Sequence, residues 1–113
     1  MQNDKSGDFT KVPNVLFRLY TRIPGFNGDH VLMYVILKDH HNDHYGYAFP
    51  DQDDLAEMLN CGINKVGRVA KKLKDVGLVD YRRKYAGGNY VYYIKEPIKD
   101  ERIFYDTFPE VKR

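Results

Sequence analysis

The 113-residue chain has one cysteine (Cys61), one serine (Ser6) and no apolar run approaching the ~20 residues of a membrane-spanning helix. One thiol excludes an intrachain disulfide and fits a reducing, cytoplasmic setting. The opening MQNDKSGDF lacks the basic-then-apolar pattern of a secretory signal. There is no internal repeat and no low-complexity segment. Ala86-Gly87-Gly88 lacks the lysine and the helix that a phosphate-binding loop requires. The only serine sits in a loose, polar N-terminal stretch, so a serine nucleophile is not expected. These absences argue against an enzyme and against a cofactor or membrane partner. What is present is an apolar fraction of 42%, enough for one folded domain.

Charge is distributed unevenly. Residues 1–62 carry five basic and nine acidic residues, a net of −4. From Ile63 to Lys95 nine Lys/Arg face only Asp75 and Asp80, a net of +7. A basic segment hidden under a small overall charge is the electrostatic footprint of a nucleic-acid binder.

The pattern of elements gives that segment a shape. Residues 1–8 read as a flexible polar tail. Phe9 to Phe17 begins extended, since Pro13 biases Val12 away from helix, and is read as a short N-terminal strand; Asn14 to Tyr20 can form a short helix, which Ile23-Pro24-Gly25 stops. A first long helix is predicted from Asp29 to about His41, capped by Asn27, Gly28 or Asp29. Its broad apolar face is Val31, Leu32, Tyr34, Val35 and Ile36. A second helix follows Pro50, with Asp51 as N-cap and Asp53, Asp54 and Glu57 complementing the helix dipole. Its buried side is Leu55, Ala56, Met58 and Leu59.

Asn60-Cys61-Gly62 is a tight turn. A third helix spans about Ile63 to Val76, with Val66, Val69, Ala70 and Leu73 as its buried stripe and Gly77 as its stop. Leu78–Tyr85, the turn Ala86-Gly87-Gly88-Asn89 and Tyr90–Lys95 form a hairpin. The order is an α+β winged helix-turn-helix: a three-helix core with a C-terminal β-hairpin wing, occupying residues 9–97. Residues 98–113 read either as a short docking helix or as the start of a linker.

A helix-turn-helix lays its second helix in the major groove of duplex DNA. On the third helix, Asn64, Arg68 and Lys71 lie opposite the buried stripe. There Asn64 suits adenine, and Arg68 or Lys71 suits guanine. Lys65, Lys72 and Lys74 flank them and suit phosphates. Gly67 permits close backbone approach. Gln52 can donate to a phosphate from the start of the second helix. Arg82, Arg83 and Lys84, with Asn89 at the turn, make a basic wing for the backbone or the minor groove. A lysine-rich helix alone is most often a solvated face. The second basic cluster on the hairpin is what favours double-stranded DNA. A transcription regulator and a protein-binding winged helix remain as alternative readings of the same pattern.

With these residues in view, the chain resembles the N-terminal winged-helix domains of replication initiators and replisome organisers from plasmids and phages of Gram-positive bacteria, the RepA-type and DnaD-like proteins. The likeness spans about residues 9–97. It rests on Phe49-Pro50, Leu55-Ala56, the Asn60-Cys61-Gly62 turn, Lys72-Leu73 and Gly77-Leu78-Val79. Phe9-Thr10-Lys11-Val12-Pro13-Asn14 and Leu16-Phe17 match the RepA-type start. The resemblance implies binding to repeated origin sites as a homodimer. It also implies replication partners recruited through a region absent here. Two positions depart from the pattern: Gly62 stands where many relatives cap with Ser, and Asn60 where Gly is usual. Dimer contacts are expected through residues 9–20 or the apolar positions 103–108.

Three further groups have simpler readings. His40 and His44 have zinc-compatible spacing but no partnering cysteine, so they read as helix-end histidines and no metal is expected. Tyr81, Tyr85, Tyr90, Tyr92 and Tyr93 read as cross-strand packing, with stacking on single-stranded bases as the functional alternative. Asp51, Asp53, Asp54 and Glu57 read as a helix start rather than a magnesium site.

Overall fold

The computed structural model describes residues 9–83 and 89–111. The tail at 1–8, Lys84, Tyr85 and the hairpin turn at 86–88 lie outside the described residues. Among the described residues, five α-helices and two strands follow in the order α1 (Val15–Arg18), a 3-10 turn (Tyr20–Arg22), α2 (Gly28–Asp39), α3 (Gln52–Leu59), α4 (Ile63–Asp75), β1 (Val79–Arg83), β2 (Tyr90–Ile94) and α5 (Glu101–Thr107). The strands pair antiparallel with Arg83 opposite Tyr90 and Val79 opposite Ile94. Ala48 adds a third row through an isolated bridge to Tyr92.

Local chemistry explains the boundaries. Asn27 caps α2: its side chain accepts from the Asp29 amide while the His30 ring accepts from the Asn27 amide, a capping box with histidine in the usual glutamate position. Asp51 caps α3 by accepting from the Asp54 amide at 2.8 Å. Asn60 ends α3 at φ +54°, the left-handed conformation that asparagine tolerates. Gly77, at φ +82°, closes α4 with paired bonds from the Gly77 amide to Lys74 O and from the Leu78 amide to Leu73 O. A β-carbon at Gly77 would strain that backbone conformation.

Helices α2, α3 and α4 form the central triad around Met33, Tyr34, Leu37, Leu55, Val66, Val69 and Leu73, all buried. The expected apolar face of α2 is rotated. Leu32 is exposed, Val31 and Val35 are half-buried, and Met33, Tyr34, Leu37 and His30 turn inward with Ile36. The helix is apolar nearly all round, so its own pattern does not choose the face. Distant partners do: the Tyr34 hydroxyl donates to Lys95 O at 2.8 Å. Burial and the nearby Glu96 charge push the Tyr34 phenol well above its ordinary pKa, so it stays protonated as that donor. Met58, expected inside, is exposed on α3.

The chain start differs from the expected strand. Residues 9–13 pair with no strand among the described residues. They are held to the end of α2 by side chains, through Thr10 Oγ1 to Asp39 at 3.0 Å and Lys38 Nζ to Lys11 O at 3.0 Å. Pro13 lacks an amide hydrogen for a ladder, and the sheet does not reach this side.

Residues 98–111 fold back onto the core. Phe104, Tyr105, Phe108 and Val111 are buried, and Phe104 and Phe108 pack edge-on against the Tyr20 ring. The Tyr20 hydroxyl accepts from the Ile98 amide at 2.9 Å, tying the chain end to its beginning.

His30 makes stability pH-dependent. Desolvation pushes its pKa down, helped by the Lys72 and Lys65 charges and opposed mainly by Asp29. A histidine kept neutral in the fold but free to charge when unfolded adds stability that is complete above the unfolded pKa of about 6.5. That stability is lost as pH falls from there towards the depressed folded value. His30→Gln retains an acceptor for the Asn27 amide, so its melting temperature should fall less than the wild type's between neutral pH and mildly acid pH. An identical fall in both proteins would refute the assignment.

Candidate nucleic-acid interface

α4 shows one side to the core and one to solvent. Val66, Val69, Ala70 and Leu73 are buried, whereas Asn64, Gly67, Arg68, Lys71, Lys72 and Asp75 line a single shallow depression on the outside. Its first turn has no acidic residue and Gly62 supplies no side-chain cap, so no cap side chain or carboxylate of that turn opposes an incoming acceptor there. The start of α3 is the reverse. There Asp51 already takes the Asp54 amide, and Asp53 and Asp54 add negative charge.

The exposed cations are not equivalent. Lys71 Nζ lies 2.8 Å from Asp75 one turn on, which holds the ammonium and raises its pKa. Arg68 makes no ion pair among the described residues and is the open guanidinium of the outer face. Lys65 is turned to the start of α2, where its ammonium meets Asp29 at 2.7 Å. The hydrogen bond and the charge raise the Lys65 pKa and lower that of Asp29. Both groups are solvated, so the pair orients Lys65 more than it stabilises the fold. Lys72 runs back towards Gly25. Lys74 leans on β1, 3.4 Å from Asp80 and 5.1 Å over the Tyr81 ring.

The wing divides by strand alternation. Arg83 shares the helix-facing side of the hairpin with Tyr90, donating to its hydroxyl at 3.0 Å and lying 4.7 Å over its ring. That side meets the start of α3: Asp51, Gln52, Asp53, Ile63, Arg83, Asn89 and Tyr90 line one groove. Arg82 faces the other way, 5.2 Å over Tyr93. The expected Arg82–Arg83 cluster is therefore two single cations on opposite faces. Gln52, Arg83 and Asn89, distant in sequence, are brought together beside the first residue of α4. Lys84 lies outside the described residues.

Sequence reasoning missed Tyr90 as the residue that orients Arg83. The period of two along β1 and β2 was the available signal. It also missed the partners of Lys65 and Lys74, which depend on tertiary contacts.

The histidines and the hairpin tyrosines have specific neighbours. His40 caps the end of α2, with Nδ1 2.9 Å from Ile36 O. His41 lies 3.4 Å from Asp43, and His44 packs on Tyr45. Tyr81, Tyr90 and Tyr92 pack ring to ring across the hairpin.

A triad of helices with α4 outermost, followed by a β-hairpin, is a winged helix-turn-helix. Residues 25–79 match a family model described as a helix-turn-helix domain. Among the solved structures similar to it, three share the fold over most of the chain. The first is an N-terminal domain of a DNA-binding protein, with a TM-score of 0.65 and 23% identity, covering 93% of this chain and 87% of that one. The second is a Rep–DNA complex, at 0.66 and 26%, covering 93% and 88%. The third is an MDR initiator, at 0.59 and 23%, covering 95% and 93%. No curated protein sequence matches the chain. The chain thus shares its fold with these three proteins, in line with the resemblance read from its sequence.

Proposed function

We propose that the chain is the double-stranded DNA-binding domain of a plasmid or phage replication initiator or replisome organiser, acting in the cytoplasm. Helix α4 enters the major groove, with Asn64 and Arg68 at base edges and Lys71 beside them. Arg83, Gln52 and Asn89 contact the adjoining backbone. The observation that carries this reading is that α4 bears an open Arg68 in the depression on its outer face while Arg83 lines a second groove beside Ile63, at the start of the same helix. Likeness to a Rep–DNA complex supports it. The wing's role is narrower than its sequence implies, because Arg82 lies over Tyr93, on the strand face opposite Arg83.

Homodimerisation belongs to the same proposal. Phe104 and Phe108 are spent in the protein's own core, so residues 9–20 are the better contact, with Phe9, Val12 and Phe17 exposed. Sedimentation should show a concentration-dependent dimer; a monomer at high concentration would contradict it.

Selection of bound duplexes from a random pool, followed by footprinting, tests the role. Repeated copies of the selected site within an origin are the expected result. A single operator overlapping a promoter would contradict replication and favour transcriptional control.

A further inference from the structure

The outer face of the wing sheet carries an aromatic surface that the duplex reading does not use. Alternation around the buried Ala48 sends Tyr47 and Phe49 outward, and the Ala48–Tyr92 bridge sets them beside β2. Tyr93 faces the same way, its ring 5.7 Å from that of Tyr47. Tyr45 joins from the preceding turn, 5.8 Å from Tyr47 and 5.7 Å from Phe49. That turn is fixed by the Gly46 amide to Asn42 O at 2.7 Å and the Tyr45 amide to Asn42 Oδ1 at 3.1 Å. Tyr45 is 56% and Phe49 47% exposed, a large apolar outlay for a surface with no cover among the described residues.

The charge around these rings selects the occupant. Arg82 lies over Tyr93 with its side chain 67% exposed, leaving the guanidinium open on the solvent side. Asp80 is 4.0 Å from Arg82, but it is also 3.4 Å from Lys74, so two cations meet one carboxylate. Asp43 lies 3.4 Å from His41 Nε2, and His44 packs against Tyr45. The exposed rings of Tyr45 and Phe49, backed by half-buried Tyr47 and Tyr93 and beside an open cation, suit flat bases joined by phosphates, since every base can stack and the cation takes the backbone. An acidic peptide would engage Arg82 but leave the stacked rings without matching flat partners. The surface also continues from the duplex interface, because Arg82 and Arg83 are adjacent on one strand and face opposite sides of it.

We propose that Tyr45, Tyr47, Phe49 and Tyr93, with Arg82, form a second nucleic-acid site that binds single-stranded DNA by base stacking. The wing then separates a duplex held on the α4 side from an unpaired strand on its outer side.

Anisotropy titration of a short labelled oligothymidylate at low salt tests this. The wild-type chain should bind it. Tyr45→Ala and Phe49→Ala should each weaken binding about tenfold, and Tyr45→Phe should retain it. Arg82→Ala should weaken binding and flatten its salt dependence. Both alanine substitutions are at exposed rings, and circular dichroism should show an unchanged fold. Their affinity for duplex should be unaltered, whereas Arg68→Ala should leave oligothymidylate binding intact. Absence of wild-type binding to the oligothymidylate would overturn the proposal, as it would if this surface docks a protein. A loss in Arg68→Ala equal to that in Tyr45→Ala would overturn it too, by placing the single strand on α4. Ring-dependent binding of the oligothymidylate without duplex binding would uphold this site while refuting the duplex reading.

Discussion

Replacing Phe104 by alanine should lower folding stability by about 3–5 kcal/mol, the range for removing a buried aromatic ring. Phe104 is fully buried. Its ring lies 5.1 Å from Tyr20 and 5.0 Å from Phe108, so its loss leaves a cavity walled by other rings that cannot collapse without shifting. The Tyr20–Ile98 hydrogen bond and the Asp100 cap on the Ile103 amide hold the same segment. For a domain of this size the loss is a large share of total stability. Chemical denaturation should show a lower midpoint with a similar slope. A change under about 1 kcal/mol would mean that residues 98–111 fold as an appendage.

That C-terminal segment marks where the sequence stops being legible. The sequence leaves residues 98–113 as a docking helix or a linker, because only contact with Tyr20, remote in the chain, makes Phe104 and Phe108 core residues. The α3–turn–α4–hairpin unit is legible because local chemistry defines it. Asp51 starts α3, Gly77 stops α4, and Val66, Val69, Ala70 and Leu73 recur at helical spacing. The face of α2 is not legible, since apolar residues surround it. The Ala48 row also escaped notice, although Tyr47-Ala48-Phe49 alternates large and small residues in strand fashion.

The candidate interface divides similarly. Helical period places Asn64, Arg68 and Lys71 on one side of α4, where the structure also has them. The ion pairs of Lys65 and Lys74 and the separation of Arg82 from Arg83 depend on neighbouring elements. Those contacts reduce a long basic roll to a few open cations.

Arg68→Ala should weaken binding to the selected duplex by about 1–3 kcal/mol and relax preference at one base position. The planar guanidinium fork is pre-organised to bond guanine at two acceptors, whereas lysine offers a point charge on a flexible stem. Lys71 must also give up Asp75, 2.8 Å away, before it can serve DNA. Arg83→Ala should act differently, weakening all duplexes alike and reducing the salt slope by about one. Titrations of both variants against selected and scrambled duplexes at several salt concentrations separate the two roles. Equal losses on both duplexes for Arg68→Ala would make it a phosphate contact.

Where duplex DNA touches the protein is most directly measured by NMR, as backbone amide shifts during titration with the selected duplex. The account predicts the largest changes at Ile63 to Lys72 on α4 and at Gln52, Arg83 and Asn89, with small changes at Phe9, Leu32 and Met58. Shifts concentrated at Phe9, Leu32 and Met58, with α4 unmoved, would contradict the assignment of α4 as the reading helix.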